Sequence, residues 1–486
     1  MDEFNKDTEN FITWLEKSAD VKISQKIEIL DLRHLHEGRA VVTKEDVAKE
    51  EVLFEIPYKS LINIQTSQIV SDFPAIKDKL QELGQWNGLI VCLLYEWEVL
   101  GTKSKWWPYL KVLPTSASLS GLMYWTDEQL EELRPSLVLE RIGKEGARQM
   151  FDTIVRFFNE NGMQEQIKNV KWDNFLRVAS TIMSYSFDVE NPNSAANDNE
   201  DESDEEGATE SLKSMVPFAD TLNADTHKCN AHLEYDTDGL KMCAIMPIPK
   251  GGQVYNIYGE HPNSEILRRY GYVEQDGSAY DFGEVLLQNI KKAVEDKFGV
   301  NESFLDWLLD VLRDDDIIER YFEDEEIVLD SYDCYISGEI LTELVLFLQI
   351  VTAVCAIPGI QEMSEEDKMT KLKSIIKRCL KLVEQQKVTR NCGDVWKAAV
   401  KNRLAEYPSG ILTDKIQIDD NSPTDTIRKL MAKIVLKSEC QSLTKCLDSI
   451  DDQYEMVEDQ RLLDSVLKRP ATSNGSGKSS HKRQKN

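Results

Sequence analysis

Apolar positions along the chain change their spacing several times, and each change marks an expected element. Phe11, Ile12, Trp14 and Leu15 recur at helical spacing within residues 6 to 18 and predict a short amphipathic helix. From Ile27 to Ile64 the pattern shortens to β-rich runs, Ala40-Val-Val and Val52-Leu-Phe-Glu-Ile, bounded by Glu37-Gly38-Arg39 and Pro57. A helical period returns between Ser67 and about Tyr185 and predicts helices at 86–100, 127–133, 146–159 and 172–185. Residues 214–273 revert to strands. Beyond about residue 285 the pattern is helical again, at 303–320, 339–357, 364–386 and 425–447, the third opening on a Ser364-Glu-Glu-Asp cap sequence. The most apolar run, 344–358, is interrupted by Gln349 and is too short to span a bilayer, so it predicts a core helix.

At 486 residues the chain exceeds the size at which a single hydrophobic core stops growing, so two folded lobes are expected. A helical block lying between two β-rich blocks implies a sheet assembled from two parts of the chain, with the helices inserted between them. The expected fold class is α+β: a β-rich domain with an inserted helical subdomain, followed by an all-α C-terminal lobe. The expected boundaries are a first helix within 1–24, β-rich parts at 25–66 and 211–275, the helical insertion at 67–190, and a helical lobe at 285–465. Residues 191–210 carry a dense acidic run with no large apolar side chain and predict a disordered loop, either a solvated spacer or a docking site for a basic partner.

The formal net charge of −29 changes the picture of partners, because such a protein repels nucleic-acid phosphates and attracts basic polypeptides, although acidity also serves solubility alone. Nine cysteines without a Cys-x-x-Cys pair, and six histidines that form no ligand ladder with them, argue against a zinc site and for reduced thiols in a nuclear or cytosolic compartment. The first residues, MDEFNKDTEN, are acidic and lack an apolar segment, so no secretory signal is expected. The tail at 466–486 reads as disordered. Its Lys468-Arg469 and Lys482-Arg483-Gln484-Lys485 clusters resemble a bipartite nuclear import signal read by an import carrier; a solubilising end or a nucleic-acid contact is the alternative.

Candidate chemistry concentrates in Pro217-Phe-Ala-Asp-Thr-Leu-Asn223 and Val254-Tyr-Asn-Ile-Tyr258-Gly259, joined by a strand pair and followed by Arg269-Tyr-Gly-Tyr272. With Glu37-Gly38-Arg39, these segments resemble a SET-domain protein-lysine methyltransferase of the class that includes the plant Rubisco large-subunit enzyme. The similarity looks closest to fungal enzymes that methylate a large-subunit ribosomal protein. The helical lobe, including Arg403-Leu-Ala-Glu-Tyr-Pro408, resembles the substrate-binding domain of that class.

The resemblance implies S-adenosylmethionine as cofactor and a set of site residues. Tyr258 matches the catalytic tyrosine, whose hydroxyl would orient the lysine amine rather than act as a strong base. Glu37, Gly38 and Arg39 match the turn whose backbone receives the methionine part of the cofactor. Asn223 matches the cofactor-holding asparagine, and Ala224 stands where the family has His. Tyr270 matches the aromatic that walls both the lysine channel and the cofactor site. Tyr185 lies where plant members carry an Arg touching cofactor and substrate, and a Tyr there loses a fixed charge. Asp220 falls where the class places a substrate-facing acid, with a turn carboxylate as the other reading; Trp86 falls at a substrate contact of related nuclear enzymes, with a core Trp as the other.

The expected function is thus S-adenosylmethionine-dependent methylation of a lysine on a basic protein, a ribosomal protein favoured. A histone or transcription factor substrate, and a catalytically silent scaffold that binds basic proteins, are the alternatives. A monomer of the nucleus, or of nucleus and cytoplasm both, without direct nucleic-acid or membrane contact and without a metal, is expected.

Overall fold

The computed structural model describes residues 2–168, 170–190, 211–419 and 421–467; the acidic loop and the basic clusters from Lys468 lie outside the described residues. The chain divides into two compact units. The first comprises the residues up to Asp281 together with Gly410–Ser438, and the second comprises Phe282–Ser409 together with the residues from Glu439 onward.

In the first unit the two β-rich blocks meet in one antiparallel sheet, in the order Lys22–Ile23, Val52–Pro57, Gly239–Ala244, Ala231–Asp236. Its central pair joins strands from the two ends of the insertion, with Phe54 opposite Met242 and Ile56 opposite Leu240. These inward side chains are all buried, which sets the register, since a one-residue slip would turn them toward water. A hairpin of Ile27–Asp31 with Arg39–Thr43, and a pair of Ser186–Glu190 with Ser211–Met215, complete the β framework near the site.

The insertion forms the helices Gln85–Leu94, Lys144–Glu160 and Trp172–Tyr185. The expected helix at 86–100 changes hand-hold at Tyr95, where the last turn widens into a π-type turn over Tyr95–Leu100. Glu96 is buried at this turn, and its carboxylate accepts hydrogen bonds from Ser67 Oγ at 2.8 Å, Gln68 N at 2.6 Å and Ser104 Oγ at 2.6 Å. Three donors on one carboxylate satisfy a charge that would otherwise be costly to bury.

The second unit is helical, with Leu287–Phe298, Thr342–Cys355, Glu365–Glu384 and Arg390–Leu404 as its longer helices. It also holds two strand pairs that the helical reading of this lobe lacked: Phe282–Leu286 antiparallel to Ser331–Tyr335, and Lys387–Thr389 parallel to Glu455–Val457. Strands this short carry too few residues to establish a period of two against a helical background. The expected helix at 303–320 is two helices, Glu302–Leu312 and Asp315–Tyr321, because the Asp314 carboxylate accepts from Asp316 N at 3.1 Å and caps a new start. Ser364 caps the helix Glu365–Glu384 as expected, accepting from Asp367 N at 3.2 Å.

Gln349, the polar break in the most apolar helix, is fully buried. Its Oε1 accepts from Thr389 N at 2.7 Å and its Nε2 donates to Thr389 Oγ1 at 3.2 Å, so the amide ties the helix to the short parallel strand pair. Among the described residues no helix is long and apolar enough to cross a membrane.

One boundary differs from the expectation. Residues 410–438 were assigned by pattern to the helical lobe, yet they belong to the first unit. Ala432 and Val435 join a buried cluster with Leu122, Trp125, Leu133, Val138 and Leu267, and Arg428 Nη1 donates to Gln129 Oε1 at 2.7 Å. Helical periodicity shows that a segment has a buried face but not which core receives it.

Candidate active site

The site is built around a turn that reverses the chain after strand Ser211–Met215. Phe218 has φ 83° and its ring centroid lies 4.4 Å from that of Phe54, so packing holds a backbone conformation that few non-glycine residues adopt. The short 3₁₀ turn Ala219–Thr221 then carries Asp220 inward. Asn223–Ala224 leaves the turn as a two-residue strand paired in parallel with Tyr255–Asn256, so both motif segments lie side by side.

Asn223 Nδ2 donates to Gln253 Oε1 at 2.7 Å and to the Glu37 carbonyl at 3.3 Å. Gln253 Nε2 in turn donates to Glu37 Oε2 at 2.7 Å and to the Tyr255 hydroxyl at 2.9 Å. Gln253 therefore links the Asn motif, the Glu-Gly turn and the strand before Tyr258. Sequence reasoning missed it, because its place beside the Val254-Tyr motif says nothing of a link to Asn223 and Glu37, 30 and 216 positions away.

Tyr258 donates its hydroxyl hydrogen to the Leu222 carbonyl at 2.8 Å, and the Tyr270 hydroxyl donates to the Tyr258 carbonyl at 3.1 Å. Their ring centroids are 4.9 Å apart with planes inclined by 43°. Gly259 has φ 142°, a backbone conformation that L side chains rarely adopt, and a Cβ there would also come within 2.6 Å of the His261 ring. Tyr270 ends the helix Asn263–Tyr270, and Gly271 closes it at φ 79°, where a Cβ would meet Gly121 N at 2.6 Å. That helix is braced by Glu265, which binds Arg268 Nη2 at 2.7 Å and Arg269 Nε at 3.0 Å. Burial pushes the Glu265 carboxyl up, but the two guanidinium groups outweigh it and hold the group below its ordinary range.

Two cavities flank the tyrosines. One, of ≈ 770 Å³, is lined by Glu37, Asn223, Ala224, Tyr255, Tyr272 and Glu274, among others; the second, of ≈ 310 Å³, is lined by Phe187, Asp188, Asp220, Ile257 and Gly259. Ser184, Tyr185, Tyr258 and Tyr270 line both, so an aromatic wall stands where the two spaces meet. Withdrawal from bulk water raises the Tyr185 and Tyr270 phenols to about 12 and raises Tyr258 well above its ordinary value, with neighbouring tyrosines adding to the effect at Tyr258. All three are neutral at physiological pH. Asp220 is raised to about 7 by burial, against the opposing hydrogen bond from Tyr109.

The structure thus brings Glu37, Tyr185, Asn223, Ala224, Asp220, Tyr258 and Tyr270 together. It does not bring Arg39 or Trp86 to either cavity. The Arg39 side chain turns away, donating from Nε to Thr8 Oγ1 at 2.8 Å and lying 3.9 Å over the Phe4 ring, so it secures the first helix. Gly38 supplies the turn itself with φ 65° and lines neither space. Trp86 donates from Nε1 to Met150 Sδ at 3.2 Å within the helical insertion. His36, Asp225, Lys228 and Glu274 line the larger cavity and were not foreseen, because polar residues in turns carry no periodic signature.

This fold and this arrangement are those of a SET domain, and the SET domain family matches residues 38–259. Over 480 residues the chain is 47% identical to "Ribosomal lysine N-methyltransferase 4" of Saccharomyces cerevisiae, covering 97% of each protein. It belongs to the SET-domain protein-lysine methyltransferases. It is also 30% identical over 273 residues to "N-lysine methyltransferase setd6" of Danio rerio, which spans 54% of this chain and 56% of that relative. Among solved structures, the SET domain of LSMT bound to lysine and AdoHcy superposes with a TM-score of 0.65 at 19% identity, covering 98% of both chains. Rubisco LSMT bound to sinefungin and monomethyllysine gives 0.62 at 19%, covering 96% of this chain and 97% of that one.

S-adenosylmethionine is the cofactor of this family, and the residues present fit it. The larger cavity lies in the size range of pockets that enclose a ligand of a few tens of atoms. Its aromatic walls, Tyr255, Tyr270 and Tyr272, suit a flat base and a sulfonium, and Asn223, Glu37 and the short strand at Asn223–Ala224 offer polar groups for an amino-acid end.

Proposed function

We propose that this protein transfers a methyl group from S-adenosylmethionine to a lysine ε-amine of a large-subunit ribosomal protein. The observation that carries the substrate is the 47% identity, over 97% of both chains, with a yeast protein named as a ribosomal lysine N-methyltransferase. Ribosomal proteins are basic, and the net charge of −29 favours their approach.

When bound, S-adenosylmethionine supplies an electrophilic methyl group on a positively charged sulfur. Asn223, fixed by Gln253 and the Glu37 carbonyl, would hold the amino-acid end in the larger cavity. Tyr258 acts as an acceptor: its hydrogen is committed to the Leu222 carbonyl, and its phenol stays neutral, so its oxygen lone pairs are left to orient an amine N–H or a methyl C–H. Tyr185 and Tyr270 exclude water at the junction and confine the amine to one approach, and such alignment supplies a large part of the acceleration of a displacement reaction.

The test is transfer of labelled methyl from S-adenosylmethionine to separated large-subunit ribosomal proteins, with histones as comparison. Label on a ribosomal-protein lysine is expected. Label on histones alone would support the alternative substrate, and cofactor binding without transfer to either would support a silent scaffold.

We also propose that the protein acts in the nucleus, on the strength of the basic clusters Lys468-Arg469 and Lys482-Arg483-Gln484-Lys485. A fluorescent protein carrying residues 466–486 should accumulate in nuclei; an even distribution through the cell would remove this reading.

A further inference from the structure

A lysine substrate arrives as an ammonium ion, with an ordinary pKa of about 10.4, and has no lone pair with which to attack. The proton must leave before methyl transfer. Of the polar side chains that line the smaller cavity, the serines and tyrosines are weak proton acceptors, and burial makes the tyrosine hydroxyls harder still to ionise. Two carboxylates remain, Asp188 and Asp220. The Asp188 side chain is 63% exposed and is neutralised by Lys213 Nζ at 2.6 Å. Asp220 is 9% exposed, and its Oδ2 accepts a hydrogen bond from the Tyr109 hydroxyl at 2.5 Å.

On the reading that the protein is a lysine methyltransferase, we infer that Asp220, positioned by Tyr109, takes the proton from the substrate ammonium in the smaller cavity. The N–H bond breaks with its electron pair retained on nitrogen as the attacking lone pair, and an O–H bond forms on the Asp220 carboxylate. After methyl transfer the carboxyl group returns the proton to solvent water, so each methyl group transferred releases one proton.

The surroundings favour this direction of transfer. Two opposite charges in a cavity walled by aromatic rings are both poorly solvated, and moving the proton neutralises both. The groups facing Asp220 are phenols: Tyr109 from the short helix Trp107–Leu110, Tyr185 from the end of Trp172–Tyr185, and Tyr258 beyond strand Tyr255–Asn256. Burial among them makes the carboxylate a stronger proton acceptor than an ordinary one, as its rise to about 7 records. The Tyr109 hydrogen bond acts oppositely and keeps the group ionisable near neutral pH. Tyr109 is fully buried, with its ring 5.9 Å from Phe11 and 6.5 Å from Trp14, so the first helix holds the phenol in place. Tyr109 is a positioning residue; Asp220 is the one that meets the amine.

The experiment compares pH profiles of kcat/KM for the full-length protein, Asp220→Asn and Tyr109→Phe, using separated large-subunit ribosomal proteins and methyl-labelled S-adenosylmethionine. Cofactor binding to each variant serves as the check on folding. For the unaltered protein, activity should rise with pH as Asp220 ionises. Asp220→Asn should fall by about 10²-fold near pH 7 and recover most of the difference near pH 10, where much of the free substrate amine is already neutral. Tyr109→Phe should move the rising limb to higher pH, because the bond that stabilises the carboxylate is gone.

A deficit in Asp220→Asn that is the same at every pH, or a Tyr109→Phe profile that keeps its midpoint, would mean that the pair is structural and would overturn the inference. If Asp220→Asn fails to bind cofactor, the midpoint of Tyr109→Phe decides alone. Absence of methyl transfer by the unaltered protein at every pH would overturn the methyltransferase reading itself and this inference with it, which sets that failure apart from a failure of Asp220.

Discussion

Tyr258→Phe is expected to lower kcat for methyl transfer by about 10²- to 10³-fold, the loss usual for removal of one oriented polar group at a reacting centre. The affinity for S-adenosylmethionine should change by no more than about threefold, since the part of the hydroxyl's role that is realised in the transition state contributes little to ground-state binding. The expectation rests on what the hydroxyl does in the structure. It donates to the Leu222 carbonyl at 2.8 Å, next to Asn223, so it closes the turn that carries this asparagine and leaves its oxygen lone pairs free for the proposed contact with the amine. Phe keeps the ring that packs against Tyr270 at 4.9 Å between centroids, so the aromatic wall should persist. Single-turnover kinetics with isothermal titration of the cofactor would separate the two effects. A variant with normal kcat would show that the hydroxyl only closes the turn; one that no longer binds cofactor would show that the turn, and not the chemistry, depends on it.

The second large effect is on stability. Arg403→Met should destabilise the second unit by about 3–5 kcal/mol, the range found when one partner of a buried ionic group is removed. Arg403 is 1% exposed. Its Nε donates to the Glu284 carbonyl at 2.9 Å, its Nη1 to Glu406 Oε2 at 2.5 Å, and its guanidinium lies 5.0 Å from the centroid of the Tyr407 ring. The Tyr407 hydroxyl donates to Glu439 Oε2 at 2.7 Å, and Glu439 is itself buried. Met fills nearly the same space but removes the cation that faces these carboxylates and the donor that satisfies Glu284. Urea unfolding of the full-length protein, followed by a probe in the second unit, measures the change. A loss under about 1 kcal/mol, the size of an ordinary exposed pair, would mean that water reaches the network and that burial does not make it costly to break.

Arg403 also shows how a sequence motif differs from its physical explanation. The segment Arg403-Leu-Ala-Glu-Tyr-Pro408 was recognisable as a family feature, but nothing in its spacing indicates that its arginine, glutamate and tyrosine gather Glu284 and Glu439 from remote parts of the chain. Gln253 is the corresponding case in the active site. Asn223, Tyr258 and the Glu-Gly turn were legible because their residue types and order carry a resemblance; the glutamine that joins them was not, because its role exists only once Glu37 and Asn223 lie within reach of one side chain. Arg39 and Trp86 illustrate the reverse. Both were singled out by resemblance alone, Arg39 for the backbone of its turn and Trp86 for a substrate contact, and both side chains are drawn to other neighbours, Phe4 and Thr8 in one case and Met150 in the other.

What the sequence determined by itself was local. The helical period predicted Trp172–Tyr185 to the residue and the helices Lys144–Glu160 and Glu365–Glu384 within two, because amphipathic burial repeats every turn and is written into consecutive residues. The two β-rich blocks around a helical insertion were readable for the same reason, and the motif segments within them identified the family's chemistry. Tertiary structure alone decided which buried faces share a core, so that 410–438 joins the first unit rather than the helical lobe in which its pattern placed it. It also decided that Asp220 would be enclosed with Tyr109, a residue 111 positions away, and so acquire a pKa near neutrality. Periodicity states that a side chain will leave water; the environment that receives it, and therefore its charge and reactivity, depends on elements brought together from distant parts of the chain.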